Sequence, residues 1–195
     1  MAWENLAGAR IGCAMTGSFC TFASVLDMLG TLRAAGAELY PILSFNASQL
    51  DTRFMRAEDL HARLKQISGR EVMDSIVQVE PIGPKKLLDL VLVAPCTGNS
   101  MAKIANGISD TPVTLAVKSH LRNGRPVVIA PSTNDGLAGN AANIGRIMAL
   151  RNMYIAPFGQ DDANGKPTSL VAKWMLVPDA CDAALAGRQI QPMLM

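Results

Sequence analysis

Leu90-Val91-Leu92-Val93-Ala94 is an unbroken apolar run. A strand with one wet face alternates apolar and polar residues. A run without alternation is buried on both faces, as in the middle of a parallel sheet. Pro126–Ala130 repeats the pattern, and Arg10–Met15, Glu38–Leu43 and Met153–Pro157 read as further strands. Helical spacing fills the intervals. Phe19–Ala35 carries Phe22, Leu26, Leu29 and Leu32 on one stripe, and Gly36 offers a stop. Arg56–Ile67 carries Leu60 and Leu64, and Ser100–Asn106, Thr111–Arg122 and Ala141–Arg151 also read as helices. A last helix is expected within Ser169–Ala186, started or interrupted by Pro178. Strands alternating with helices require crossover connections, so the spacing predicts an α/β fold with a parallel sheet and helices on both faces. No linker or repeat divides residues 1–195, which read as a single domain with a tail from about residue 187.

Charge narrows the partners. Eighteen basic and sixteen acidic residues leave +2, too little for a nucleic-acid footprint or a polybasic membrane patch. Aromatic residues make up 5%, which argues against base-stacking platforms. Cys13, Cys20, Cys96 and Cys181 form no CxxC pair, so a zinc cluster and a disulfide framework are not expected. With no long apolar run and no leader pattern, the chain reads as cytoplasmic.

In such sheets ligands bind beyond the carboxyl ends of the strands. The loops expected there are Thr16-Gly17-Ser18, Ser44-Phe45-Asn46-Ala47-Ser48, Cys96-Thr97-Gly98-Asn99-Ser100, Ser132-Thr133-Asn134-Asp135-Gly136 and Gly159-Gln160-Asp161-Asp162. Most are built of hydroxyls, amides and glycines. Thr16-Gly17-Ser18 suits a phosphate at a helix N-terminus, although Ser18 also reads as a simple helix cap. Thr97, Asn99 and Ser100 can wrap an oxygen-rich ligand, and Gly98 lets the backbone approach a flat ring; Asn99 or Ser100 can equally cap the helix. Neither GxxxxGK[ST] nor GxGxxG occurs, so a phosphate would be held by neutral donors, as suits a monophosphate such as that of FMN. Acid–base groups are sparse. His61 and His120 read as structural or solvated rather than catalytic, Cys96 as a small buried thiol, and Cys13 and Cys20 as packed. Met15, Met101 and Met148 read as core filler, and Asp161 and Asp162 as loop surface rather than metal ligands.

Ala94–Asp110, APCTGNSMAKIANGISD, resembles the family of homo-oligomeric flavin-containing cysteine decarboxylases. Pro95, Thr97, Gly98, Asn99, Ser100, Lys103, Ile104, Ala105, Gly107, Ile108 and Asp110 match that family's Pro-Ala-(Ser/Thr)-(Ala/Gly)-Asn-(Thr/Ser) segment and the Lys-Ile-Ala-x-Gly-Ile-x-Asp helix after it. Thr16-Gly17-Ser18 resembles its phosphate turn, and Pro131-Ser132-Thr133-Asn134 stands in place of Pro-Ala-Met-Asn. Three departures argue against decarboxylation of a cysteine. Pro81 occupies the position of the family's catalytic histidine, Thr133 replaces the methionine, and no late Gly-Cys-Gly flap occurs.

The resemblance implies a three-layer Rossmann-like, flavodoxin-like fold. It implies FMN held by Thr16, Gly17, Ser18, Ser44, Asn46, Cys96, Thr97, Gly98, Asn99, Ser100, Thr133 and Asn134. It also implies trimers or higher assemblies, for which Asn106–Thr114 and Gly136–Asn143 are small-residue candidates. Within the family the likeness is strongest to a branch found in sporulating bacteria. Its members work with a separate nicotinamide-binding partner, and the pair oxidises a reduced pyridine dicarboxylate to the aromatic ring with NADP as acceptor. Arg53, Arg56, Lys118 and Arg122 are the candidate carboxylate partners. Without an evident base, a non-catalytic assembly role beside that partner is the alternative.

Overall fold

A computed structural model describes residues 3–195. Its strands are β1 Arg10–Met15, β2 Glu38–Leu43, β3 Leu90–Cys96, β4 Val127–Thr133, β5 Met153–Ile155, β6 Phe158–Asp162 and β7 Lys166–Ala172. They form one sheet in the order β2-β1-β3-β4-β7-β6, with β5 also paired to β4. β1 to β5 run parallel, with Ile11 opposite Leu90, Val91 opposite Val127 and Val127 opposite Met153.

The helices are α1 Phe22–Ala34, α2 Phe45–Gln49, α3 Ala57–Ser68, α4 Ile76–Val79, α5 Gly98–Ala105, α6 Pro112–Arg122, α7 Ala141–Ala149 and α8 Val177–Leu185. They cover both faces. On β3, Leu90, Leu92 and Ala94 pack with Leu26, Leu64 and Ala180, whereas Val91 and Val93 pack with Met101, Val117 and Ile147. Every residue of β3 is buried, which is why its sequence lacks alternation. Each such Leu or Val contributes roughly 1.5–3 kcal/mol by leaving water.

Several expectations change. Gly159-Gln160-Asp161-Asp162 is no loop: it lies in β6, which pairs antiparallel with β7. The sheet is therefore mixed. At the hairpin tip the Asp162 carboxylate accepts the N–H groups of Asn164 and Gly165. The hairpin is polar and exposed at its free end, so backbone pairing rather than an apolar pattern defines it. The last helix begins only at Val177, with Pro178 in its first turn, where a missing N–H costs nothing. Met148 is half-exposed rather than core, and Cys20 is exposed while Cys13 is buried. His120 is 1% exposed, which makes it a structural core histidine, the first of its two expected readings.

β4 divides its outer edge between two neighbours. Val127–Ile129 pair with β5, and Ser132 and Thr133 pair with β7. The hairpin thus extends the sheet beside the loop that follows β4. Residues after Gly187 seal the far edge: the Gln189 amide bonds both the N–H and the carbonyl of Ile155, and Leu194 pairs with Phe158.

Candidate functional site

The loops after β1, β2 and β3 converge on a cavity of about 280 Å³. Gly17, Ser44, Asn46, Thr97, Asn99 and Ser100, all expected from the sequence, line it. Phe45, Lys103 and Thr111 line it too. The signal for Lys103 is its place four positions after Asn99, on the same helix face, but its charge sets it apart from the neutral pattern.

Ser44, Thr97 and Thr111 share a second role. Each is the N-cap of a helix, accepting the N–H of Ala47, Ser100 and Thr114 respectively. Helix amino ends therefore surround the cavity, with their partial positive charge.

The remaining expected residues do not line the cavity. Thr16 is buried, its Oγ1 donating to the Pro95 carbonyl at 2.7 Å and accepting the Thr97 N–H at 2.9 Å. It fastens the β1 loop to the β3 loop instead of offering a free hydroxyl. The Ser18 side chain caps no helix; its hydroxyl meets that of Ser132 at 2.7 Å. One proton joins the two oxygens, so one hydroxyl of the pair keeps its proton for another acceptor. Thr133 Oγ1 donates to Asp135 at 2.5 Å, and the Asn140 amide donates to the other carboxylate oxygen at 2.7 Å. These bonds hold the Asp135 carboxyl below its usual range. The Asn134 carbonyl accepts from Thr168 on β7, tying the β4 loop to the hairpin.

Gly98 explains how the β3 and β4 loops meet. A Cβ there would lie 2.6 Å from Thr133 Oγ1 and 2.7 Å from Asp135 Oδ1, and would also strike Asn140. Only glycine admits that approach. Cys96 is fully buried, and burial pushes its thiol up to about 12, so it stays protonated.

Lys103 is the only charged side chain on the cavity wall among the described residues. Its ammonium contacts both Asp110 carboxylate oxygens, at 2.9 Å and 2.8 Å. The other cations considered from sequence lie elsewhere. Arg56 pairs with Glu58 and Asp59, Lys118 donates to Ser109, Arg53 stacks 4.8 Å over Phe54, and Arg122 is absent from the wall. Pro81 sits in a short turn, Glu80–Ile82, away from the cavity wall. His61 does not line the wall either; its Nε2 lies 3.0 Å from Ser48 Oγ, which donates to Asp74. Among the described residues no group of three or more His, Cys, Asp or Glu side chains is arranged to hold a metal. Among them, too, no helix is long and apolar enough to cross a membrane.

A larger cavity of about 720 Å³ opens between α1 and the segment Ala172–Pro178. Met28, Trp174, Met175 and Leu176 make it apolar, and it contains none of the converging loop donors. Chemistry selects the smaller cavity.

Residues 2–187 match the model of the Flavoprotein family. Over 191 residues the chain is 44% identical to the B subunit of dipicolinate synthase of Bacillus subtilis (strain 168), covering 98% of this chain and 96% of that protein. The crystal structure of the corresponding B subunit from Bacillus halodurans superposes with a TM-score of 0.90 at 44% identity, covering 98% of each chain. DmrB from Burkholderia xenovorans, solved with FMN and described as a cubic protein cage for redox transfer, has a TM-score of 0.63 at 21% identity. That match covers 75% of this chain and 87% of DmrB, and it is a likeness of fold. With its alternating strands and helices, its converging hydroxyl and amide loops and a match across nearly its whole length, the chain belongs to the Flavoprotein family.

Proposed function

We propose that this chain is the B-type component of a dipicolinate synthase. It would act with a separate nicotinamide-binding A-type component to oxidise a reduced pyridine-2,6-dicarboxylate in a sporulating bacterium. The observation that carries this reading is 44% identity sustained over 98% of the chain to a protein of that name. The cytoplasm of the mother cell is the compartment that follows from it.

The residues present fit FMN. A phosphate held without lysine needs convergent N–H and O–H donors, which the Gly17 turn, the Ser44 hydroxyl and the Asn46 amide on the wall supply. A flat ring needs an amide at its edge, which Asn99 supplies from the wall, while Gly98 lets the loop that carries it pack against the β4 loop. Thr97 and Ser100, bonded at 3.2 Å, orient one another beside Asn99. Ser44 and Asn46 supply the opposite wall. Thr16, Cys96, Thr133 and Asn134 support these groups from behind. Bound FMN supplies a two-electron acceptor. At 280 Å³ the cavity lies just below the roughly 300–1,000 Å³ of ligand sites. A second copy of the chain is therefore expected to complete the enclosure, in a trimer or larger assembly.

Aromatising a dihydropyridine removes one hydride and one proton; NADP on the A-type component accepts the hydride, and the proton leaves to bulk water. This chain's residues position the dicarboxylate and exclude water. The protonated Cys96 and the lack of His, Asp or Glu on the wall among the described residues favour a second reading, in which the chain is a non-catalytic partner that orders the A-type component. Both purified components with substrate and NADP distinguish the two. Dipicolinate should form at the full rate only with both, and Asn99→Ala should cut that rate at least tenfold. Full turnover by the A-type component alone would falsify a catalytic part for this chain. An Asn99→Ala rate equal to wild type, with both components required, would leave assembly as its role.

A further inference from the structure

The cavity wall is neutral except at one place. Lys103 stands among hydroxyls, amides, a glycine and the Phe45 ring. Its ammonium has three N–H donors, and two are directed to Asp110. The third is free to take a further acceptor. Asp110's side chain is 57% exposed and that of Lys103 is 24% exposed, so water reaches the acid more readily than the amine. Ion pairs with one partner in solvent are weakly held, and a better-placed anion can displace the acid. The ammonium also keeps the Asp110 carboxyl below its usual range, so the acid is ionised at neutral pH and the pair carries no net charge.

Asn99, Ser100 and Lys103 share one face of α5, with Lys103 three and four positions beyond the other two. A cation thereby stands beside the amide and hydroxyl assigned above to the flavin. Resting on the function proposed above, we infer that Lys103 is the carboxylate-recognition residue of this chain. It takes one carboxylate of the pyridine dicarboxylate, and Asp110 occupies that position in its absence. Asp110 is in this sense an internal competitor, which shields the cation until an anion of the right shape arrives. The device sets specificity as well: a neutral pyridine gives Lys103 nothing to gain by leaving Asp110.

Titration calorimetry on the purified full chain, with and without FMN, tests this with pyridine-2,6-dicarboxylate and inorganic phosphate as probes. Lys103→Met should weaken dicarboxylate binding by about tenfold, the scale of one charge-assisted bond. Asp110→Asn should strengthen it several-fold, because the competitor is gone. A purely structural ion pair would move both variants in the same direction, which overturns the inference. So does loss of phosphate or FMN binding in Lys103→Met with dicarboxylate binding intact, since Lys103 would then serve the phosphate. Wild-type binding that neither variant alters sinks this inference and leaves the proposed function standing. A wild-type chain that ignores the dicarboxylate, with FMN and without, overturns the inference and leaves the proposed function to the two-component turnover assay.

Discussion

Thr16 Oγ1 accepts the backbone N–H of Thr97 at 2.9 Å while donating to the carbonyl of Pro95 at 2.7 Å. One buried hydroxyl thus joins the ends of β1 and β3, strands paired along the middle of the sheet. Thr97 then caps α5 through its own Oγ1. Together with the Thr16 N–H, which donates to the same Pro95 carbonyl at 3.1 Å, that oxygen sets the position of the cavity wall between Gly17 and Ser100.

Replacing Thr16 by valine keeps the shape and removes the hydroxyl. The Thr97 N–H then loses its partner in a partly buried site. The expected cost is about 1–3 kcal/mol in urea denaturation, with Thr16→Ser recovering most of it. An unchanged midpoint for Thr16→Val would show that the loops are fixed by other contacts.

Gly98→Ala tests the approach of the two loops. The new methyl meets Thr133 Oγ1 and Asp135 Oδ1 at 2.6 Å and 2.7 Å, and neither can retreat without breaking the Thr133–Asp135 bond. Overpacking of this kind costs about 1–3 kcal/mol. The thermal midpoint should fall, and added FMN should no longer raise it. A variant that melts like wild type and still responds to FMN would show the loops to be pliable.

The unreacted thiols are a third check. Cys13 and Cys96 are pushed up to about 12 by burial, and burial raises Cys181 well above its usual value too. Cys20 alone is exposed. An aromatic disulfide reagent at pH 8 should label one thiol in the folded chain and all four after unfolding. Cys20→Ser should abolish the fast phase. Fast labelling that persists in that variant would mean that a buried thiol is reached by opening of the sheet.

What is legible in the sequence follows from which residues are buried by side-chain pattern. Leu90–Ala94 announces a strand covered on both faces, because burial by α1 and α8 on one side and α6 on the other leaves no room for polar residues. The β6–β7 hairpin gives no such sign. Asp161, Asp162, Asn164 and Lys166 are exposed, and what orders them is backbone pairing plus a carboxylate at the turn. At the site, the neutral loop residues are legible because the loops end strands. Lys103 shows in the sequence as a motif match one helical turn after Asn99, but its charge sets it outside the neutral loop pattern that marks the rest of the wall. Thr16 and Ser18 do stand out, but their partners do not, because the groups that pair with them come from loops 81 and 114 residues away.

His120 provides the acid limb of stability. Burial, then the nearby Arg125 guanidinium, lowers it from 6.5 to about 4, with Asp89 acting partly in opposition. Its Nε2 has no hydrogen-bond partner among the described residues. The folded state therefore prefers the neutral ring, while the unfolded chain takes up a proton below pH 6.5. Stability from this group is present above 6.5 and is lost as pH falls toward 4, by roughly 2–3 kcal/mol in all. The carboxylates held below their usual range, Asp89 and Asp135 among them, lose their contribution only below about 3.8, so the two windows separate. Urea denaturation between pH 7 and pH 4.5 should show the loss in wild type, and His120→Leu should flatten it. An equal loss in both proteins would assign the acid sensitivity to another group.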